Sequence, residues 1–136
     1  MVEAALVTYN HKIIDYSIGK PFSVEFNFER VWHYIKSLGN SYQPYLLNFY
    51  HVHPKGLTTY SELDKNCMKG LYQALGYLIH FVIITFESND LFDIRAKYSA
   101  FECHGIENIK KAWIPEYLSD DQILFLKFLA YSVEEL

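Results

Sequence analysis

The hydrophobic period of this chain switches several times along its length, and no single period persists long enough for an all-helical or all-strand fold. Ala4 to Tyr9 is a short, mostly apolar run, Asn10-His11-Lys12 reads as a turn, and Ile13 to Ile18 is a second short run. Together they predict a β-hairpin, closed by Gly19-Lys20-Pro21. From Asn27 the period becomes helical. Phe28, Val31, Trp32, Ile35 and Leu38 recur three or four apart, with Asn27 suited to the N-cap and Gly39 to the position just past the end.

Tyr45 to Tyr50 is then a short apolar run without a helical stripe, read as a buried strand that leads directly into His51-Val-His53-Pro54. A polar loop, Lys55 to Tyr60, brings the chain to Ser61 and a second helix. Its apolar face is read as Leu63, Cys67, Leu71 and Ala74, and Gly76 ends it. Tyr77 to Phe86 is β-branched and aromatic, as a central strand is, and Ser88-Asn89-Asp90 is a turn signal. Ile94 to Phe101 is read as a further strand. The stretch holding Trp113 and Pro115 has no clear period. A closing helix over about 119–135 opens on a Ser119/Gln122 capping box and carries Ile123, Phe125, Leu126, Phe128, Leu129 and Val133.

The order β-β-α-β-α-β-(β)-α predicts an α/β fold, a mixed sheet sandwiched by helices. At 136 residues, with no repeat or linker, the chain is expected to be one domain over 1–136. It is 51% hydrophobic, and its 12 Tyr, 10 Phe and 2 Trp need core walls to pack against, which excludes wholesale disorder. A formal charge of -4, without a Lys/Arg stripe, disfavours a general nucleic-acid binder. The longest apolar stretch, Leu78 to Phe86, is broken by His80 and far below the ~18 residues of a spanning helix. Two cysteines, Cys67 and Cys103, are too few for a disulfide framework, and Met-Val-Glu-Ala is no signal sequence. A soluble, cytoplasmic protein with no membrane partner is expected.

One segment carries chemistry: His51-Val-His53-Pro54, six residues, then Ser61-Glu-Leu-Asp64. Residues two apart on an extended chain point the same way, so both imidazoles can reach one ion at about 2.0–2.1 Å. Asp64 falls in the first turn of the next helix, where a short loop can fold it back against the strand end. Two imidazoles and one carboxylate leave a tetrahedral zinc with an open position for water, the pattern of catalytic sites. Each piece also has an ordinary reading: His-x-His occurs in loops without function, and Ser61-x-x-Asp64 is a capping box. The two roles of Ser61 and Asp64 are compatible.

His-x-His-Pro, six residues, Ser-x-x-Asp is the signature of the JAMM (JAB, MPN+) metalloprotease domain, and the chain resembles that family from about Glu3 to Tyr98. The resemblance implies its cytidine-deaminase-like fold, with a motif-bearing core over about 3–100. It also implies a single Zn²⁺ with a bound water, held by His51, His53 and Asp64. Ser61 is then the oxyanion helper and an upstream glutamate the general base. The substrate implied is a protein or peptide tail, often of a ubiquitin-like or sulfur-carrier protein. Val52 between the histidines, and the lack of room for long insertions, are closer to the bacterial and phage branches than to the eukaryotic deubiquitinating one. His53-Pro-Lys-Gly is also similar to the RadC-like branch, whose role lies near DNA.

Glu3 heads the first strand in Glu-Ala-Ala-Leu-Val and resembles the family's glutamate, with Glu25 as the alternative. Glu25 and Glu29 beside the first turn of the Asn27 helix are accounted for by the helix dipole. Two other functions stay open: a JAB-type interaction module without catalysis, and a RadC-like, DNA-associated protein. His80 is read as a core histidine rather than a fourth ligand, His11 and His33 as turn and helix-surface residues, and Cys67 as packing. Cys103 and His104, as sequence neighbours, are not expected to share one metal.

Overall fold

The computed structural model describes residues 1–20, 24–76, 78–105 and 107–132. Strands β1 (Ala4–Tyr9) and β2 (Lys12–Ile18) form the expected hairpin. Its two-residue turn needs left-handed backbone at both positions, and Asn10 and His11 supply it at φ 50° and 66°. A left-handed histidine is unusual, and two contacts hold it. Its Nδ1 lies 2.9 Å from Glu116 Oε2, and its carbonyl accepts from Gln122 Nε2 at 2.6 Å.

Helix α1 (Phe28–Leu38) is capped by Asn27, whose side chain accepts from the Arg30 N–H. Of its apolar stripe, Val31 and Ile35 are buried, while Phe28 and Trp32 are each 41% exposed. Strand β3 (Leu47–Val52) leads into the His-x-His motif, and α2 (Glu62–Leu75) follows. The chain continues through β4 (Ile79–Phe86), β5 (Ala96–Cys103), β6 (Ile109–Ala112) and α3 (Asp120–Tyr131). Pro21, Tyr77 and Val133, expected in the segment closing the hairpin, the fourth strand and the last helix, lie outside the described residues.

Among the described residues, six strands form one mixed sheet in the order β2-β1-β3-β4-β5-β6, with β3 and β4 parallel and the other neighbours antiparallel. The fold is therefore α/β, as the element order predicts. Two cores line its faces. Ala5, Val7, Phe49 and Phe81 pack with Val31, Met68 and Leu71 of α1 and α2. Leu6, Tyr50, Val82 and Ala100 pack with Ile123 and Leu126 of α3. Among the described residues no helix is long and apolar enough to cross a membrane.

Helix α3 buries a lysine. Lys127 is 0% exposed, and its Nζ donates to the carbonyls of Ser88 at 2.7 Å and Asp93 at 2.6 Å. The ammonium also lies 4.9 Å from the Phe86 ring centroid and 5.1 Å from that of Tyr131. Burial lowers its pKa, with Asp93 and Asp90 opposing. The contacts tie the β4–β5 turn to α3. Lys127→Ala removes both hydrogen bonds and leaves a cavity, so an expected loss of about 2–4 kcal/mol should appear in chemical denaturation. Lys127→Met keeps the packing volume and should lose less. Equal stability of Lys127→Ala and the parent would deny the lysine this role.

Candidate metal centre

Side chains on β3 alternate between the two cores. Tyr50 and Val52 face α3, whereas Phe49 and His51 face α1 and α2, where the His51 ring meets Phe81 edge-on at 5.8 Å. His53 follows on the same side just past the strand, its N–H still donating to Ile84 O at 2.9 Å. The two imidazoles stand 4.7 Å apart between centroids, nearly perpendicular at 85°.

Strand β1 brings Glu3 to them. Its antiparallel register pairs Ala5 with His51, and continued by two residues it sets Glu3 opposite His53. Although third in the chain, Glu3 is clamped, its N–H donating to Lys20 O at 2.9 Å and its carbonyl accepting from Gly19 N at 2.8 Å. Its side chain is buried. Glu3 Oε1 lies 2.8 Å from His51 Nε2 and 3.7 Å from His53 Nε2. Glu25, the alternative, is exposed and lines a neighbouring cleft of about 650 Å³ with Lys20, Phe26 and Arg30.

Asp64 arrives from the first turn of α2, through the capping box. Ser61 Oγ accepts from Asp64 N at 3.1 Å, and Asp64 Oδ2 accepts from Ser61 N at 2.9 Å. That pairing turns the carboxylate inward, where Oδ1 lies 2.9 Å from His51 Nδ1 and Oδ2 lies 2.8 Å from His53 Nε2. Ser61 is exposed at the rim. Its role as cap uses an oxygen lone pair and leaves the hydroxyl proton free to donate.

Helix α2 consequently buries a different stripe from the one read in the sequence. Asp64, Met68, Leu71 and Leu75 face inward, while Leu63 is 62% exposed and Ala74 is exposed. Cys67 is half-buried beside this stripe, its thiol pushed up to about 12 by burial, then by Asp64 and Glu25. His80 lies on the opposite face of the sheet, in the row of Val82.

The electrostatics of the four side chains call for a cation. Two carboxylates with neutral imidazoles would bury a charge of about -2, which is costly without compensation, and the ion-pair partners of both acids are the two imidazoles. Burial opposes charge on His51, but Asp64 and Glu3 outweigh it and raise its pKa. Burial likewise opposes charge on Asp64, yet His51, His53 and the Ser61 N–H hold its carboxyl well below the usual range.

Two features are compatible with a metal ion as well as with shared protons. Both buried nitrogens of His51 lack a well-formed hydrogen bond, although carboxylate oxygens stand at 2.8 and 2.9 Å, off the N–H axis. His53 Nδ1 lies 3.2 Å from Leu57 O, so donation there fixes the tautomer with the Nε2 lone pair facing Asp64 and Glu3. A lone pair against carboxylate oxygens is repulsive until a cation or proton sits between them. Glu3, His51 and His53 each place a ligand atom within 4.8 Å of the others, so this buried group could hold a metal ion.

Sequence reasoning missed one participant, the Leu57 carbonyl, for which a loop residue gives no signal. In comparison with known proteins, the chain matches no family model and no curated protein.

Proposed function

We propose that the protein is a zinc-dependent peptidase or isopeptidase of the JAMM type, acting on the tail of a ubiquitin-like or sulfur-carrier protein. The observation that carries this reading is the meeting of Glu3, His51, His53 and Asp64 from three separate elements in one buried cluster, with Ser61 at its rim. The donor set, imidazole nitrogens and carboxylate oxygens without thiolate, suits a hydrolytic zinc. A cleft of about 650 Å³ lies where β2 ends and α1 begins, lined by Lys20, Glu25 and Arg30 among others.

His51, His53 and Asp64 would hold the zinc, which supplies Lewis acidity and a bound water with its pKa lowered toward ~7. Glu3 would act as the general base, taking a proton from the attacking water and passing it to the leaving amine. The Ser61 hydroxyl donates to the oxyanion developing on the scissile carbonyl. The Leu57 carbonyl keeps the His53 ring in its metal-binding tautomer. A specific observation favours a variant of this assignment. His51 turns Nε2 toward Glu3 and Nδ1 toward Asp64, so Glu3 could be the third ligand with Asp64 orienting the ring.

The test is hydrolysis of a peptide fused to a ubiquitin-like tail by the zinc-loaded protein. Cleavage is expected for the parent, with Ser61→Ala retaining zinc and losing roughly 10²-fold in rate, plus ~1 kcal/mol of α2 capping. A zinc-loaded parent that cleaves no tail would instead favour the interaction module. Salt-dependent DNA binding would favour the RadC-like alternative.

A further inference from the structure

His53 is held twice, and the two ties have different origins. Its backbone extends β3, with the N–H donating to Ile84 O at 2.9 Å. Its ring is tied four residues on, where Nδ1 lies 3.2 Å from Leu57 O. A carbonyl oxygen only accepts, so this contact is a hydrogen bond only when the proton sits on Nδ1. Nε2 then faces Asp64 Oδ2 at 2.8 Å and Glu3 Oε1 at 3.7 Å. The direction of the Leu57 carbonyl therefore decides which nitrogen His53 offers to the centre.

That direction is set by a tight turn. Leu57 N donates to Pro54 O at 3.1 Å, closing a four-residue turn with Lys55 and Gly56 at its centre. Gly56 has φ 89°, the left-handed backbone that a type II turn requires at its third residue. Lys55, Gly56 and Leu57 are all exposed, Leu57 by 53%. Packing therefore contributes little to the shape of the turn, which rests on its backbone angles and these two hydrogen bonds. A Cβ added at Gly56 would meet nothing within 4 Å among the described residues. The glycine is thus needed for its backbone angle and not for space. A residue drawn to negative φ there reorients the peptide units that follow and takes the Leu57 carbonyl off the His53 ring.

We propose that Gly56 is a positioning residue of the metal centre, acting from the exposed turn through the Leu57 carbonyl to fix the His53 tautomer. The inference rests on the reading of the buried cluster as a zinc site, and adds a control on it from the surface. With the proton moved to Nε2, His53 would present an N–H to Asp64 and no lone pair to an ion. His51 needs no such tie, because carboxylates flank both of its ring nitrogens.

Gly56→Ala in the full chain tests the proposal through two readouts. Zinc affinity, measured by competition with a chromogenic chelator, should fall by about 10-fold or more. Gly56→Asn, whose side chain tolerates left-handed backbone, should fall less. Gly76→Ala is the control, since Gly76 is also left-handed, at φ 70° past the end of α2, and its substitution should leave zinc affinity unchanged. The second readout is the histidine proton, followed by long-range ¹H–¹⁵N NMR on zinc-free protein at about pH 9, where free imidazole is neutral. His53 should carry its proton on Nδ1 in the parent and in Gly76→Ala, and lose that preference in Gly56→Ala. Unchanged zinc affinity in Gly56→Ala would overturn the proposal, as would a fall matched by Gly76→Ala. A fall with the proton still on Nδ1 would overturn it too. If the parent binds no zinc, the proposed hydrolase fails and the proton alone decides. Its displacement in Gly56→Ala would uphold the positioning role, and its retention would overturn it.

Discussion

Replacing Asp64 with alanine is expected to lower zinc affinity at the buried centre by well over ~100-fold and to abolish hydrolysis. The carboxylate touches both imidazoles, at 2.9 and 2.8 Å, and contributes half of the buried negative charge that a divalent ion would balance. Loss of an orienting group outside the ligands typically costs 10–100-fold in metal affinity, and loss of a ligand costs more. Alanine also removes the acceptor for the Ser61 N–H, worth ~1 kcal/mol at the start of α2. Asp64→Asn separates the two effects, since an amide oxygen can still accept from Ser61 while the charge is gone. Both variants should fail to retain buried zinc on dialysis, with Asp64→Asn folding as stably as the zinc-free parent. Buried zinc retained at parental affinity in Asp64→Asn would remove Asp64 from the ligand set.

The second large effect is expected at Glu3. Glu3→Gln preserves shape and a carbonyl oxygen but cannot take a proton, so turnover on a ubiquitin-like tail should fall by ~10²-fold or more. The buried zinc should remain, with the two imidazoles and Asp64 still in place. Measuring zinc stoichiometry beside the rate makes the outcome decisive. A fall in both would make Glu3 a ligand, the arrangement that its 2.8 Å approach to His51 Nε2 favours. An unchanged rate would shift attention to Glu25, which lies exposed in the adjoining cleft.

How much of this was legible in the sequence depended on whether a residue's local and tertiary roles agree. Asn10-His11, Asn27, Ser61 and Ser119 mark turns and caps through chemistry confined to a few neighbours, and the structure has all four where the sequence put them. Strand β6 was not legible because its sequence, Ile-Lys-Lys-Ala, has almost no apolar face. Pairing with β5 makes it a strand, with Lys110 opposite Glu102. The buried face of α2 was misread for a related reason. A hydrophobic count favours Leu63 over Asp64, but the histidines and the capping box draw the carboxylate inward and rotate the helix accordingly. Lys127 is the same kind of exception on α3, an ammonium in a core position because two turn carbonyls await it.

For the site itself, His51, His53, Ser61 and Asp64 could be named from spacing. Glu3 was reached only through family resemblance, because its place opposite His53 depends on strand register, which no local pattern encodes. The Leu57 contact is likewise a product of the folded arrangement.

The most direct test is to assay cleavage of a ubiquitin-like tail by the purified protein before chelation, after it, and after zinc is restored. Cleavage should disappear on chelation and return fully with one equivalent of zinc at the buried centre, in the parent but not in Asp64→Asn. Cleavage that survives complete removal of metal, or a zinc-replete protein that leaves the tail intact, would contradict a zinc-dependent hydrolase.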